Sequence, residues 1–170
     1  ESINIQFWFK EEVIRKLAIL KDLINEVPKK NEDIKDLFSV TFSHTVRDAS
    51  NTRNSEFKLY RMPADKLENY NPDVFKIFME KLDYNINALK NFYYEFTKIK
   101  NYRNIWVKIL NEDTRDETSF PPESINIIVT SPPYGDSRTT VAYGQYSKLS
   151  AEWLGINHHK NDIDKISLGG

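Results

Sequence analysis

Between residues 10 and 27, apolar side chains recur every three or four positions as Val13, Leu17, Leu20, Ile24 and Val27, with Lys and Glu between them. That spacing puts one apolar stripe on a helix, so the pattern predicts an amphipathic helix over 10–27 that stops at Pro28-Lys29-Lys30-Asn31. A second helix is expected from about Glu32 to Ala49, with Leu37, Phe38, Phe42 and Val46 as its stripe. Residues 50–55 form a polar run that reads as a loop, and residues 56–60 alternate, as a short strand or an extended arm would. Asn71-Pro72 suggests a helix start, with Asn as the cap and Pro at the first helical position. From there a stripe of Phe75, Phe78, Leu82, Ile86, Leu89, Phe92, Phe96 and Ile99 predicts a helix to about Lys98, its aromatic face read as core.

After Asn104 the period changes. Residues 105–110 and 124–130 read as strands, and the run Ile127-Ile128-Val129 is continuous rather than alternating, which suits a strand covered on both faces of a parallel sheet. The expectation is therefore an α/β protein. A helical segment over 1–103, a possible DNA-recognition insertion, precedes part of a doubly wound, Rossmann-like domain over 104–170.

Composition narrows the chemistry. The 170 residues carry 24 basic and 25 acidic side chains, so no polyanionic partner is demanded by net charge, although a balanced total can hide a basic face. Cysteine is absent, which excludes disulfides, thiolate metal sites and a cysteine nucleophile, and fits a reducing, cytoplasmic setting. No apolar run is long enough to span a bilayer, no signal peptide is visible, and both ends read as cut from something longer. The five glycines are Gly135, Gly144, Gly155, Gly169 and Gly170, so the first 134 residues hold neither GxGxxG nor a phosphate-binding loop.

The second predicted strand runs into Thr130-Ser131-Pro132-Pro133-Tyr134. Two prolines hold the backbone extended and remove two N–H donors, leaving carbonyl acceptors, the Ser131 hydroxyl and the Tyr134 ring. That set is a poor phosphate cradle, which needs N–H groups, but a plausible acceptor for an amino group with a ring beside it to stack on. A simple Pro-Pro turn is the bland alternative. A hydrolase role for Ser131 is discarded, because no GxSxG surrounds it and proline follows directly.

With its hydrophobic lead-in, this motif resembles the catalytic motif of the DNA amino-methyltransferases. Residues 135–147 are also similar to bacterial modification methylases, as are Phe7-Trp8-Phe9, residues 42–50 and residues 56–61. The resemblance implies transfer of a methyl group from S-adenosylmethionine to the exocyclic nitrogen of a flipped base in double-stranded DNA. Serine before Pro-Pro favours cytosine N4 over adenine N6. It implies Ser131, Pro132, Pro133 and Tyr134 as the catalytic set; Arg138, four residues past Tyr134, is expected to face the catalytic cleft and to bind DNA. Asp113 is either the acidic residue beside the cofactor's adenine or a solvated loop carboxylate. The family's aromatic-x-Gly-x-Gly cofactor motif is missing, so the isolated chain is expected to bind the cofactor poorly and to be inactive. The implied partners are DNA, the remainder of the same methyltransferase and a cognate restriction endonuclease, with no membrane.

Between Ser43 and Arg61, the bases Arg47, Arg53, Lys58 and Arg61 outnumber the acids Asp48 and Glu56, with Ser50, Asn51, Thr52 and Asn54 among them. Arginine with small polar residues suits phosphate contact and base-edge readout, and a solvated loop is the alternative. His158-His159 are adjacent without a spaced acid or Cys, so no metal site is expected. A non-catalytic helical module, binding DNA or docking a subunit, is the competing reading of the whole.

Overall fold

The computed structural model describes residues 3–53, 58–110, 112, 118–130 and 143–156. Among these are α1 (Ile5–Trp8), α2 (Glu11–Asn25), α3 (Glu32–Ala49), α4 (Ala64–Asn69), α5 (Val74–Thr97) and α6 (Tyr143–Leu154), with short 3-10 turns at Lys29–Asn31 and Tyr102–Asn104.

Helix α2 forms where its stripe predicts. Val13, Leu17, Leu20 and Ile24 are buried. Its outer face carries Glu11 and Glu12 in the first turn, where acids suit the helix dipole, each paired one turn on with Arg15 and Lys16. These exposed pairs contribute little, and burial of the stripe holds the helix.

Helix α3 is the centre of the bundle, with α2, α5 and α6 packed around it. Three neighbours cover more than one stripe, so Thr41, Phe42, Thr45, Val46, Arg47 and Ala49 are all buried. The two threonines are tolerated there because each hydroxyl donates to the carbonyl one turn back: Thr41 Oγ1 to Leu37 at 2.8 Å and Thr45 Oγ1 to Thr41 at 2.9 Å. Asn85 Nδ2 of α5 donates to Thr41 Oγ1 at 3.0 Å, a polar tie between the two helices.

Helix α5 begins two residues later than Asn71-Pro72 suggests. Asp73 is its N-cap, and its carboxylate accepts from the Lys76 N–H at 3.3 Å. Replacing Asp73 with Ala is expected to cost about 1 kcal/mol in a chemical melt. Only the first part of the α5 stripe is covered, with Val74 and Phe78 buried and Ile77 and Leu82 packed against the core. Leu89 and Phe92 are 53% and 67% exposed, contrary to the reading of the whole stripe as core. At 24 residues α5 is about 36 Å long, against about 27 Å for the 18-residue α3, so its last turns overhang the helix that would cover them.

The largest correction concerns the second half. The α/β, Rossmann-like expectation is overturned, because the described residues contain helices and no strand, with only an isolated antiparallel bridge between Thr52 and Arg61. Residues 105–110 and 124–130 lie outside helices and strands, with Ile109 93% and Val129 91% exposed. A β-like run becomes a strand only when another strand accepts its N–H and C=O groups, and none of the described elements offers an edge. Apolar β-branched composition recorded propensity without the pairing that realises it.

Helix α6, which the strand reading left unanticipated, returns to the helical core. Leu149 is fully buried, and Trp153 packs edge-on against Phe9 and Phe42 at ring separations of 5.9 and 6.2 Å. Ser150 Oγ of α6 donates to the Ser43 carbonyl of α3 at 2.8 Å.

Candidate functional site

The chain leaves α3 into a polar knot rather than a solvated loop. Ser50, Asn51 and Thr52 are all buried, which their composition alone did not suggest. Their polar groups are largely satisfied within the turn. Ser50 Oγ reaches the Arg47 carbonyl and Thr52 Oγ1, each at 2.7 Å. The Asn51 N–H donates to the Trp8 carbonyl at 2.7 Å, and its Nδ2 to the Phe7 carbonyl at 3.3 Å. These bonds bind the start of the loop to α1, so Phe7-Trp8-Phe9 serves as its seat, with Phe9 in the core.

From this seat, residues 51–53 and 60–62 run side by side as the two described legs of a narrow arm. The Met62 N–H donates to the Asn51 carbonyl at 2.8 Å and the Arg53 N–H to the Tyr60 carbonyl at 2.9 Å, bracketing the Thr52–Arg61 bridge. The expectation of a short strand or extended arm at 56–60 is met as an arm in its described part, residues 58–60. Arg61 lies over the Phe7 ring at 4.3 Å and Arg53 faces Tyr60 at 6.0 Å, cation–π contacts that leave both residues exposed. Lys58 is half-buried.

Arg47 is placed differently. Its side chain turns inward, 5% exposed, with the guanidinium 4.7 Å from the centre of the Tyr146 ring and Nη1 donating to the Tyr146 carbonyl at 3.4 Å. Burial pushes its pKa below the usual arginine value, while Tyr146 and the Asp48 carboxylate act in the opposite direction. Beside it, Asp48 pairs with Lys81 of α5 at 2.6 Å, and Tyr70 donates its hydroxyl to the Asp48 carbonyl. A cleft of about 310 Å³ opens here between α3, α5 and α6, with His44, Arg47, Lys81 and Ser147 among its walls.

On the other side of the arm Gln145, in the first turn of α6, accepts the Leu59 N–H at 3.3 Å. Sequence reasoning missed Gln145 and Tyr146 as contacts of the arm and of α3, and no local signal marked them, because they meet residues about ninety positions earlier. Ser131, Pro132, Pro133, Tyr134, Asp113 and Arg138 lie outside the described residues.

Over 171 aligned residues the chain is 45% identical to the type II methyltransferase M.MvaI of Kocuria varians. This chain resembles part of a type II methyltransferase. The match takes in 98% of the chain and 37% of that protein, so the chain spans a little over a third of the length of its relative. No protein-family model and no solved structure matches it. The similarity covers the arm, its seat, α6 and the Ser131-Pro132-Pro133-Tyr134 tetrad alike.

The described residues do not fit a complete site for S-adenosylmethionine. Gly144 and Gly155 are their only glycines, both in or beside α6, and neither lines a described cavity. A second cavity, of about 390 Å³, is lined by Phe9, Ile14 and Leu67 together with Lys10, Glu11, Asn51 and Arg61. Among the described residues, no helix is long and apolar enough to cross a membrane.

Proposed function

We propose that this chain belongs to a site-specific DNA methyltransferase of a restriction–modification system. The enzyme methylates an exocyclic amino group of a base turned out of the duplex, cytosine N4 in preference to adenine N6. One conjunction carries the reading: 45% identity to a type II methyltransferase, over an alignment that includes Thr130-Ser131-Pro132-Pro133-Tyr134.

The chemistry assigned to the tetrad follows from the substrate. An exocyclic amino nitrogen is a weak nucleophile because its lone pair is delocalised into the ring. Donation of its N–H groups to Ser131 Oγ and the Pro132 carbonyl localises that pair and favours the charge that develops in the transition state. Pro133 keeps the segment extended, and Tyr134 stacks on the flipped base. S-adenosylmethionine supplies the methyl group, with Asp113 as a candidate for its adenine and with the remainder of the protein providing the glycine-rich part of the site. Arg138, four residues past Tyr134, is assigned to DNA contact at the catalytic site. The chain alone is inactive on this reading. The DNA substrate places the work in the cytoplasm, with a cognate restriction endonuclease as the partner activity.

DNA is met by the arm. Arg53, Lys58 and Arg61 contact phosphates, while Arg47, covered by Tyr146, serves the arm from beneath. Reversing Arg53 or Arg61 to Glu in the intact methyltransferase is expected to weaken binding to specific and random duplexes alike, and to flatten the salt dependence by about one unit of slope. The check is a binding titration at several salt concentrations. Unchanged affinity and slope for both variants would return the arm to a purely structural role.

A further inference from the structure

We infer that Arg47 and Gln145 are positioning residues that set the first turn of α6 against the DNA-facing arm. The inference rests on the methyltransferase reading above, and it gives Arg47 a role distinct from phosphate contact.

A guanidinium keeps its proton even when burial lowers its pKa, so α3 holds a full charge under cover. An apolar side chain of similar volume would fill that place with less electrostatic cost. What arginine adds is direction. Its planar fork and its stack on the Tyr146 ring fix the rotation of the turn that carries residue 146. One residue earlier, Gln145 takes the Leu59 N–H, tying the same turn to the returning leg of the arm. Deeper in α6, Leu149, Trp153 and the Ser150–Ser43 bond dock the helix without help from these contacts. The ties at 145 and 146 are therefore not needed to keep α6 in place; they orient its first turn.

That turn matters because of where it falls in the chain. Tyr143 follows Tyr134 by nine residues, a reach of roughly 30 Å at most, so the start of α6 is the first described helical anchor after the catalytic tetrad. On the other side, the Gln145–Leu59 bond ties the turn that Arg47 orients to the arm that carries Arg53, Lys58 and Arg61. Arg47 and Gln145 thus join the element proposed to grip DNA to the element that follows the reacting loop.

The test uses the full-length methyltransferase, saturated with S-adenosylmethionine and with duplex DNA, in single-turnover methylation. DNA Kd, its salt slope and thermal melting are measured in parallel. Arg47→Met is expected to slow methyl transfer about 10- to 100-fold, the range for misplacement of reacting groups by a change outside the chemistry. DNA Kd and the salt slope should stay near their wild-type values. Tyr146→Leu, which removes the ring, and Gln145→Met, which removes the acceptor, should slow transfer in the same way, while Tyr146→Phe, which keeps both ring and carbonyl, should not. If Arg47→Met fails to fold, the Tyr146 pair and Gln145→Met decide.

Wild-type transfer rates in Arg47→Met, or in Tyr146→Leu and Gln145→Met together, would overturn the inference. So would a loss of DNA affinity with a flattened salt slope in Arg47→Met, which would make Arg47 a phosphate contact. A wild-type protein that methylates no DNA would remove the methyltransferase reading itself, and the positioning role with it. That outcome is distinct from active wild type with unaffected variants.

Discussion

Changing Ser131 to Ala in the intact methyltransferase is expected to lower the rate of methyl transfer about 100-fold, the scale of losing one hydrogen-bonding group that acts mainly in the transition state. The loss should fall on kcat, with S-adenosylmethionine binding nearly unchanged, because the hydroxyl is proposed to act on the target amino group and not on the cofactor. Single-turnover kinetics with the cofactor Kd measured alongside check both parts. Tyr134→Ala should instead weaken capture of the flipped base by about 1–3 kcal/mol, as base–aromatic stacks do. Undiminished activity in both variants would remove the tetrad from the chemistry.

The second large effect is on stability. Phe42 is fully buried on α3, where its ring meets Trp153 of α6. Removing it leaves a cavity in the core between α3 and α6, and Phe42→Ala is expected to cost about 3–5 kcal/mol in a denaturant melt of the chain. Phe92→Ala gives the contrast. That ring is 67% exposed on the overhanging end of α5, and its loss should change stability by less than about 0.5 kcal/mol. A large effect at Phe92 would mean that the α5 overhang is covered in solution.

These two phenylalanines also mark how far the sequence could be read. Both sit on stripes of helical period, and periodicity locates a face without saying what lies opposite it. At Phe42 the core supplies the cover, Trp153 of α6 among it. At Phe92 the helix has outrun its neighbour. The spans of α2 and α3 were legible because stripe and stop signals agreed: Pro28 closes one helix, and the other, Glu32–Ala49, ends at the polar knot. The strand expectation failed for a related reason. Ile127-Ile128-Val129 has the composition of a covered strand, but pairing is a long-range property that a local run cannot encode. The knot at 50–52 failed in the opposite direction. Ser, Asn and Thr read as solvated, yet they are buried because their own turn and the α1 carbonyls satisfy most of their hydrogen bonds.

For the candidate site, placement was not legible. Arginine and lysine among small polar residues between Ser43 and Arg61 suggested phosphate contact, with a solvated loop as the alternative. Nothing local showed that Arg47 turns beneath Tyr146 while Arg53 and Arg61 stay outside, since the decisive contacts come from α1 and α6.

The most direct measurement of the central claim is the identity of the methylated nucleoside. Duplex DNA incubated with the full-length protein and isotopically labelled S-adenosylmethionine is digested to nucleosides and separated by mass spectrometry. The expected product is N4-methylcytosine, confined to one short recognition sequence and absent with Ser131→Ala. Label recovered as 5-methylcytosine, a carbon-methylated base, or no label in DNA at all, would contradict the account.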